Sequence, residues 1–123
     1  FLRSTGSILL WGRAFERRGA PADQPGLMVD RARFDALRLR VQYTQYGGSC
    51  YAYGVMASGR TDLAADGGLD PFDIFAPAAV IDGAGGAVTD WFGNGITLDW
   101  RGQVLAVGDP ARHGEALALL TQI

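Results

Sequence analysis

The chain has no lysine. All 11 of its Lys/Arg-type cations are arginine, and among 123 residues His113 is the one histidine and Cys50 the one cysteine. A lone cysteine excludes an internal disulfide and favours a reducing, cytoplasmic setting. With one histidine and one cysteine, no Ser-His-Asp or Cys-His set can be argued, and a zinc site lacks ligands. No apolar run approaches the ~20 residues that a membrane helix needs. Ile8–Trp11 is also too short for the apolar core of a signal peptide. No membrane partner is expected.

What is present is a globular composition rich in glycine and alanine. The length fits one domain or part of one. Folding at this size buries roughly two-thirds of the unfolded chain's surface, enough for one core. Charge is spread unevenly: residues 1–40 hold eight Arg against Glu16, Asp23, Asp30 and Asp35, whereas residues 41–123 hold Arg60, Arg101 and Arg112 against nine acids. The acidic part suits a cation ligand better than a bare polyanion. The basic start lacks the motif pattern of a nucleic-acid binder and reads as a solvated helix face, so no nucleic-acid partner is expected. The sequence opens mid-pattern at Phe1 rather than at a Met, as expected of a piece of a longer polypeptide.

Helical and strand patterns alternate along the chain. Ser7–Trp11 reads as a short buried strand, Arg13–Arg18 as a helical turn, and Gly19–Gly26 as a loop. Asp30–Arg40 reads as a helix capped by Asp30, with Phe34, Leu37 and Val41 on one face. Val41–Tyr46 has strand composition. Gly47 and Gly48 break it, and Ser49 caps a helix over Cys50–Ser58 that Gly59 ends. Strands are expected at Thr61–Ala65, Ala87–Trp91 and Val104–Val107, with a turn over Phe92–Gly95 and a short strand over Ile96–Trp100. A last helix starts at Asp109-Pro110. The pattern implies an α/β layered fold, a mixed sheet with helices packed on it.

The stretch Gly67–Gly86 organises this plan. Pro71 biases Asp70 toward extended backbone. Asp73 then suits the N-cap of a helix running to about Asp82, with Pro77 near its fourth position, where the missing N–H goes unused. That helix is apolar nearly all round, so it is expected to be buried, yet a carboxylate sits at its mouth. From this stretch alone Asp73 reads first as a cap, the commonest reason for an Asp at that place, with a functional acid as the alternative. Tyr46-Gly47-Gly48-Ser49 reads either as a cradle that lets a ligand approach the backbone or as a tight turn with a serine cap. It is no phosphate loop, since that spacing and its lysine are absent. Asp66 and Asp73 flank the glycine turn and could converge on one cation or hydroxyl-rich ligand. Asp62 and Asp70 read as solvated, and Asp70 could also initiate the turn. Gly83–Gly86 ends the helix. His113, Trp91 and Trp100 read as structural.

Taken together, YGGSCYAYG (46–54), Pro71-Phe72-Asp73, GAGGAVTDW (83–91) and VLAVGDPARHGEALALL (104–120) resemble the carboxy-terminal half of the inositol monophosphatase family. They are most similar to its histidinol-phosphatase branch. The similarity covers about residues 28–120 and leaves 1–27 unplaced, so the chain divides into an unplaced segment 1–27 and a phosphatase-like α/β half 28–123.

The resemblance implies the carboxy-terminal fold of inositol monophosphatase and fructose bisphosphatase, and Mg²⁺-dependent hydrolysis of a small phosphorylated alcohol. It implies that Asp73 is a metal ligand, that Asp66 binds a substrate hydroxyl or amine, and that Gly47, Gly48 and Ser49 line the substrate pocket. Ser49 stands where histidinol-phosphatase-like members carry Asp, which weakens the case for an aminoalcohol. Asp66 and Asp82 stand where the family usually has Glu. The family's other metal ligands, a helical Glu and an Asp-Pro-Ile/Leu-Asp motif followed by small hydroxyl residues, are not in this sequence. The chain is therefore expected to be inactive alone, and to form a homodimer or associate with a missing amino-terminal half. Other readings are a non-catalytic binding or assembly module, or a sibling phosphatase for sugar or nucleotide bisphosphates.

Overall fold

The computed structural model describes residues 7–9, 25–46, 50–100 and 102–122. Within them lie β1 (Ser7–Leu9), α1 (Pro25–Arg38), β2 (Tyr43–Gln45), α2 (Cys50–Ala57), β3 (Leu63–Asp66), α3 (Pro71–Gly83), β4 (Ala87–Thr89), β5 (Val104–Val107), a 3₁₀ turn (Pro110–Arg112) and α4 (His113–Leu120). β1 and β2 pair in parallel. β5 lies between β3 and β4 and is antiparallel to both. The expected α/β layering with a mixed set of strands is thus present.

Strand alternation builds the layers, because successive side chains leave a strand on opposite faces. All of β3 and β5 is buried, as in a sheet covered on both faces. Leu63, Ala65, Leu105 and Val107 pack with Phe34 and Leu37 of α1, with Val41 just beyond it, and with Ala116, Leu119 and Leu120 of α4. Ala64, Val104 and Ala106 pack on the other side against Tyr53 and Met56 of α2 and Ile74 and Ile81 of α3. Trp91 is fully buried and donates from Nε1 to the Val104 carbonyl at 2.9 Å, which ties the end of β4 to β5.

Several elements differ from the sequence reading. α1 begins at Pro25, so Asp30 lies inside it rather than capping it, and its Oδ1 accepts from Gln103 Nε2 at 2.6 Å. α3 begins at Pro71 with Asp70 as its N-cap, because Pro is pre-organised for the first helical position. Pro77 is then the seventh helical residue, and it withholds the N–H that the Asp73 carbonyl would otherwise accept. α3 is not buried all round: Ile74 and Ile81 face the sheet, while Phe72 is 94% exposed and Phe75 and Val80 are also exposed. Ile96–Trp100 forms no strand. Trp100 N–H bonds the Thr97 carbonyl at 3.1 Å, which turns the chain instead. The last helix opens with a 3₁₀ turn capped by Asp109, whose carboxylate accepts from Ala111 N–H at 3.0 Å. The helical turn read over Arg13–Arg18 and most of the loop read over Gly19–Gly26 lie outside the described residues.

Two glycines are fixed by close approach. A Cβ on Gly86 would stand 2.5 Å from the Val107 carbonyl oxygen and 2.7 Å from the Ile81 side chain. Gly102 has φ +91°, and a Cβ there would meet the Leu69 carbonyl at 2.8 Å. His113 bonds α4 to β4 through Nε2 and Thr89 Oγ1 at 2.7 Å. Thr89 gives its one hydroxyl proton to the Asp90 carbonyl, so the histidine nitrogen is the donor in that contact.

Three outcomes follow for chemical denaturation. Gly86→Ala lowers unfolding stability by about 1–3 kcal/mol, the range for overpacking a close contact. Gly54→Ala in α2, where no atom lies near the new methyl group, raises it by roughly 0.5–1 kcal/mol. Burial holds the His113 pKa below its ordinary 6.5. A base whose pKa falls on folding binds its proton more readily when unfolded, so its contribution to stability is lost as pH falls through about 6.5 and below. The denaturation midpoint should therefore rise between about pH 5 and 7, and His113→Gln should flatten that rise.

Candidate functional site

β3 delivers the first acid. Asp66 follows Ala64 by two residues and so shares its face, directed into the layer of α2 and α3. It is 0% exposed, and Oδ1 accepts the Gly67 N–H at 2.7 Å. The glycine turn then carries the chain to Leu69, whose N–H donates to the Gly102 carbonyl at 3.1 Å. That bond sets where Asp70 begins α3.

The second acid, Asp73, sits in the first turn of α3. Its Oδ2 accepts the Asp70 N–H at 3.0 Å, and Asp73 N–H donates to the Asp70 carbonyl at 2.9 Å. Asp73 thus completes the helix start as a reciprocal partner of the cap, while its carboxylate remains exposed. It lines a cavity of about 300 Å³ with Cys50, Tyr53, Leu69, Phe72, Ala76 and Pro77. Cys50 opens α2 and Phe72 and Asp73 open α3, so two helix N-termini border one hollow. Both present partial positive charge suited to an anion.

Gly47, Gly48 and Ser49 lie outside the described residues. Cys50, the next residue in the chain, is on the cavity wall. Tyr53 is 2% exposed, its hydroxyl has no hydrogen-bond partner among the described residues, and burial, then Asp66, then Asp73 push its phenol well above the ordinary 10.0. Both carboxylates therefore lie within electrostatic reach of one hydroxyl. Sequence reasoning quoted Tyr53 inside the motif and gave it no part. The available signal was a large residue with a polar tip one helical turn after Ser49.

Asp62 is not brought to this site. It lies at the opposite end of β3, beside a separate hollow of about 400 Å³ with Thr61, Gly86, Asp109 and Arg112. Desolvation raises its carboxyl pKa while Arg112 pulls the other way. His113 bonds Thr89 on β4 and belongs to the α4 layer, on the sheet face away from α2 and α3.

Mg²⁺ takes one or two carboxylates and fills its octahedron with water and substrate phosphate. The exposed Asp73 fits one such ligand. Among the described residues, no group of three or more His, Cys, Asp or Glu comes together to hold a metal ion.

A model of the inositol monophosphatase family matches residues 15–123. The chain is 38% identical over 105 residues to the chloroplastic bifunctional phosphatase IMPL2 of Arabidopsis thaliana, covering 78% of this chain and 30% of that protein. It is 34% identical over 86 residues to the histidinol-phosphatase of Chlorobaculum parvum, covering 70% and 30%. Among solved structures, an inositol monophosphatase from Zymomonas mobilis matches with a TM-score of 0.80 at 28% identity, over 94% of this chain and 42% of that one. The inositol monophosphatase of Anabaena matches with a TM-score of 0.76 at 25% identity, over 100% and 46%. The chain spans less than half the length of these relatives. The family match, the two phosphatase relatives and the shared fold agree with the motifs around Asp73: the chain belongs to the inositol monophosphatase family.

Proposed function

We propose that the chain supplies the carboxy-terminal half of a Mg²⁺-dependent phosphomonoesterase for a small phosphorylated alcohol, of histidinol-phosphate or inositol-phosphate type. One observation carries the reading: Asp73 holds an exposed carboxylate on the wall of a cavity bordered by two helix N-termini. The helix ends favour the phosphate, and Asp73 supplies one metal ligand. Bound Mg²⁺ would polarise the ester and provide an activated water. Asp66, with Gly47, Gly48 and Ser49, would hold the alcohol part. Ser49 in place of a carboxylate shifts the preference from a cationic aminoalcohol toward a neutral polyol. The remaining ligands come from an amino-terminal half, so the chain alone is inactive. Its setting is a reducing one such as the cytoplasm, where exposed Cys50 stays a thiol.

A second reading is a binding or assembly module, favoured by the exposed Phe72, Phe75 and Val80 on α3. An apolar face of that kind invites a partner, either a second copy of the chain or the amino-terminal half.

The isolated chain should release no phosphate from histidinol phosphate or inositol phosphate in the presence of Mg²⁺. Joined to an amino-terminal half bearing the Asp-Pro-Ile/Leu-Asp motif, it should turn over one of them. In that complete enzyme Asp73→Asn should lower kcat by about 100-fold or more through loss of a metal ligand. Robust turnover by the isolated chain would overturn the inactive-alone part, and an unaffected Asp73→Asn enzyme would overturn the metal assignment. A panel with sugar and nucleotide bisphosphates separates the sibling activities.

A further inference from the structure

We propose that Tyr53 is a positioning residue for Asp66: its buried hydroxyl, without a hydrogen-bond partner among the described residues, donates to that carboxylate when the alcohol part of a phosphate ester is bound. The inference rests on the reading of Asp66 given above and deepens it.

The geometry comes from two elements. Tyr53 packs from α2 onto the sheet face that carries Ala64, and Asp66 is the next residue of β3 on that face. The hydroxyl oxygen has no solvent contact and no hydrogen-bond partner among the described residues, so it lies behind the cavity surface and acts on a ligand through a neighbour. A buried O–H without an acceptor is unfavourable. Native interiors keep few such groups, and a role at a site is one reason for keeping one. Asp66 is the strongest charged influence on the phenol, ahead of Asp73. The same surroundings keep the phenol protonated, hence a donor. Asp66 Oδ1 is already steadied by the Gly67 N–H. A bond from Tyr53 to the same carboxylate would fix it while it accepts from a substrate hydroxyl or amine, and would relieve the unmet donor in the same step. Ligand binding and satisfaction of Tyr53 are then one event.

This predicts effects of opposite sign for one substitution. Tyr53→Phe keeps the ring and removes only the oxygen. In the ligand-free chain it should leave the denaturation midpoint unchanged or raise it, because an unsatisfied buried group is gone. Joined to the amino-terminal half and titrated calorimetrically with inositol 1-phosphate and with histidinol phosphate in the presence of Mg²⁺, the same variant should bind roughly tenfold more weakly than the joined parent, the scale of one hydrogen bond to a charged group. Asp66→Asn should weaken binding as well, and the double variant should be no weaker than Asp66→Asn alone. A Tyr53→Phe chain that is less stable and binds like the parent would overturn the proposal and leave the phosphatase reading standing. So would additive losses in the double variant. A joined parent that binds neither ester overturns both readings together.

Discussion

The pairing of Asp66 with Val104 at the end of β3 decides on which side of the sheet every residue of that strand lies. Strand side chains alternate with a period of two, so a slip of one residue would turn Asp66 toward α1 and α4 and expel Leu63 and Ala65 from their core. The register is held because both faces are apolar and fully covered. Trp91 strengthens it by bonding the Val104 carbonyl at 2.9 Å. The placement of the buried acid beneath α2 and α3 is a consequence of hydrophobic packing elsewhere in the strand. The proposed site rests on a core that is itself indifferent to chemistry.

The two faces of the sheet have separate work. One, with α1 and α4, is aliphatic and aromatic, and its polar contacts, such as His113 with Thr89, join elements together. The other, with α2 and α3, carries the acids, the orphan phenol and the cavity. Of the arginines of α1, Arg31 and Arg38 both reach Asp35 on the helix surface, at 3.5 and 3.1 Å, whereas Arg33 lies over the Phe92 ring, 5.0 Å from its centroid.

Much of this was legible in the residues. The spacing of Phe34, Leu37 and Val41 identified the buried side of α1, and the run Val104–Val107 identified the central strand, because both patterns are set by local periodicity. Helix starts were less legible. Asp70 and Asp73 stand three residues apart, both are good caps, and only the preference of Pro71 for the first helical position separates them. Composition could not tell how α3 is covered: its residues are apolar, but burial depends on what lies opposite, and Phe72 and Val80 face outward. Tyr53 was hidden for a related reason. A tyrosine on an apolar helix reads as packing, and only the structure shows that its hydroxyl lacks a partner among the described residues.

Pro77 gives α3 an uneven stitching. With no amide hydrogen at that position, the first two turns of the helix hold together by fewer internal rungs than the last two. The Asp73 carbonyl thus lacks the amide of position 77 as a donor at the end of α3 that borders the cavity, while Ile74 and Ile81 seat both ends of the helix against the sheet.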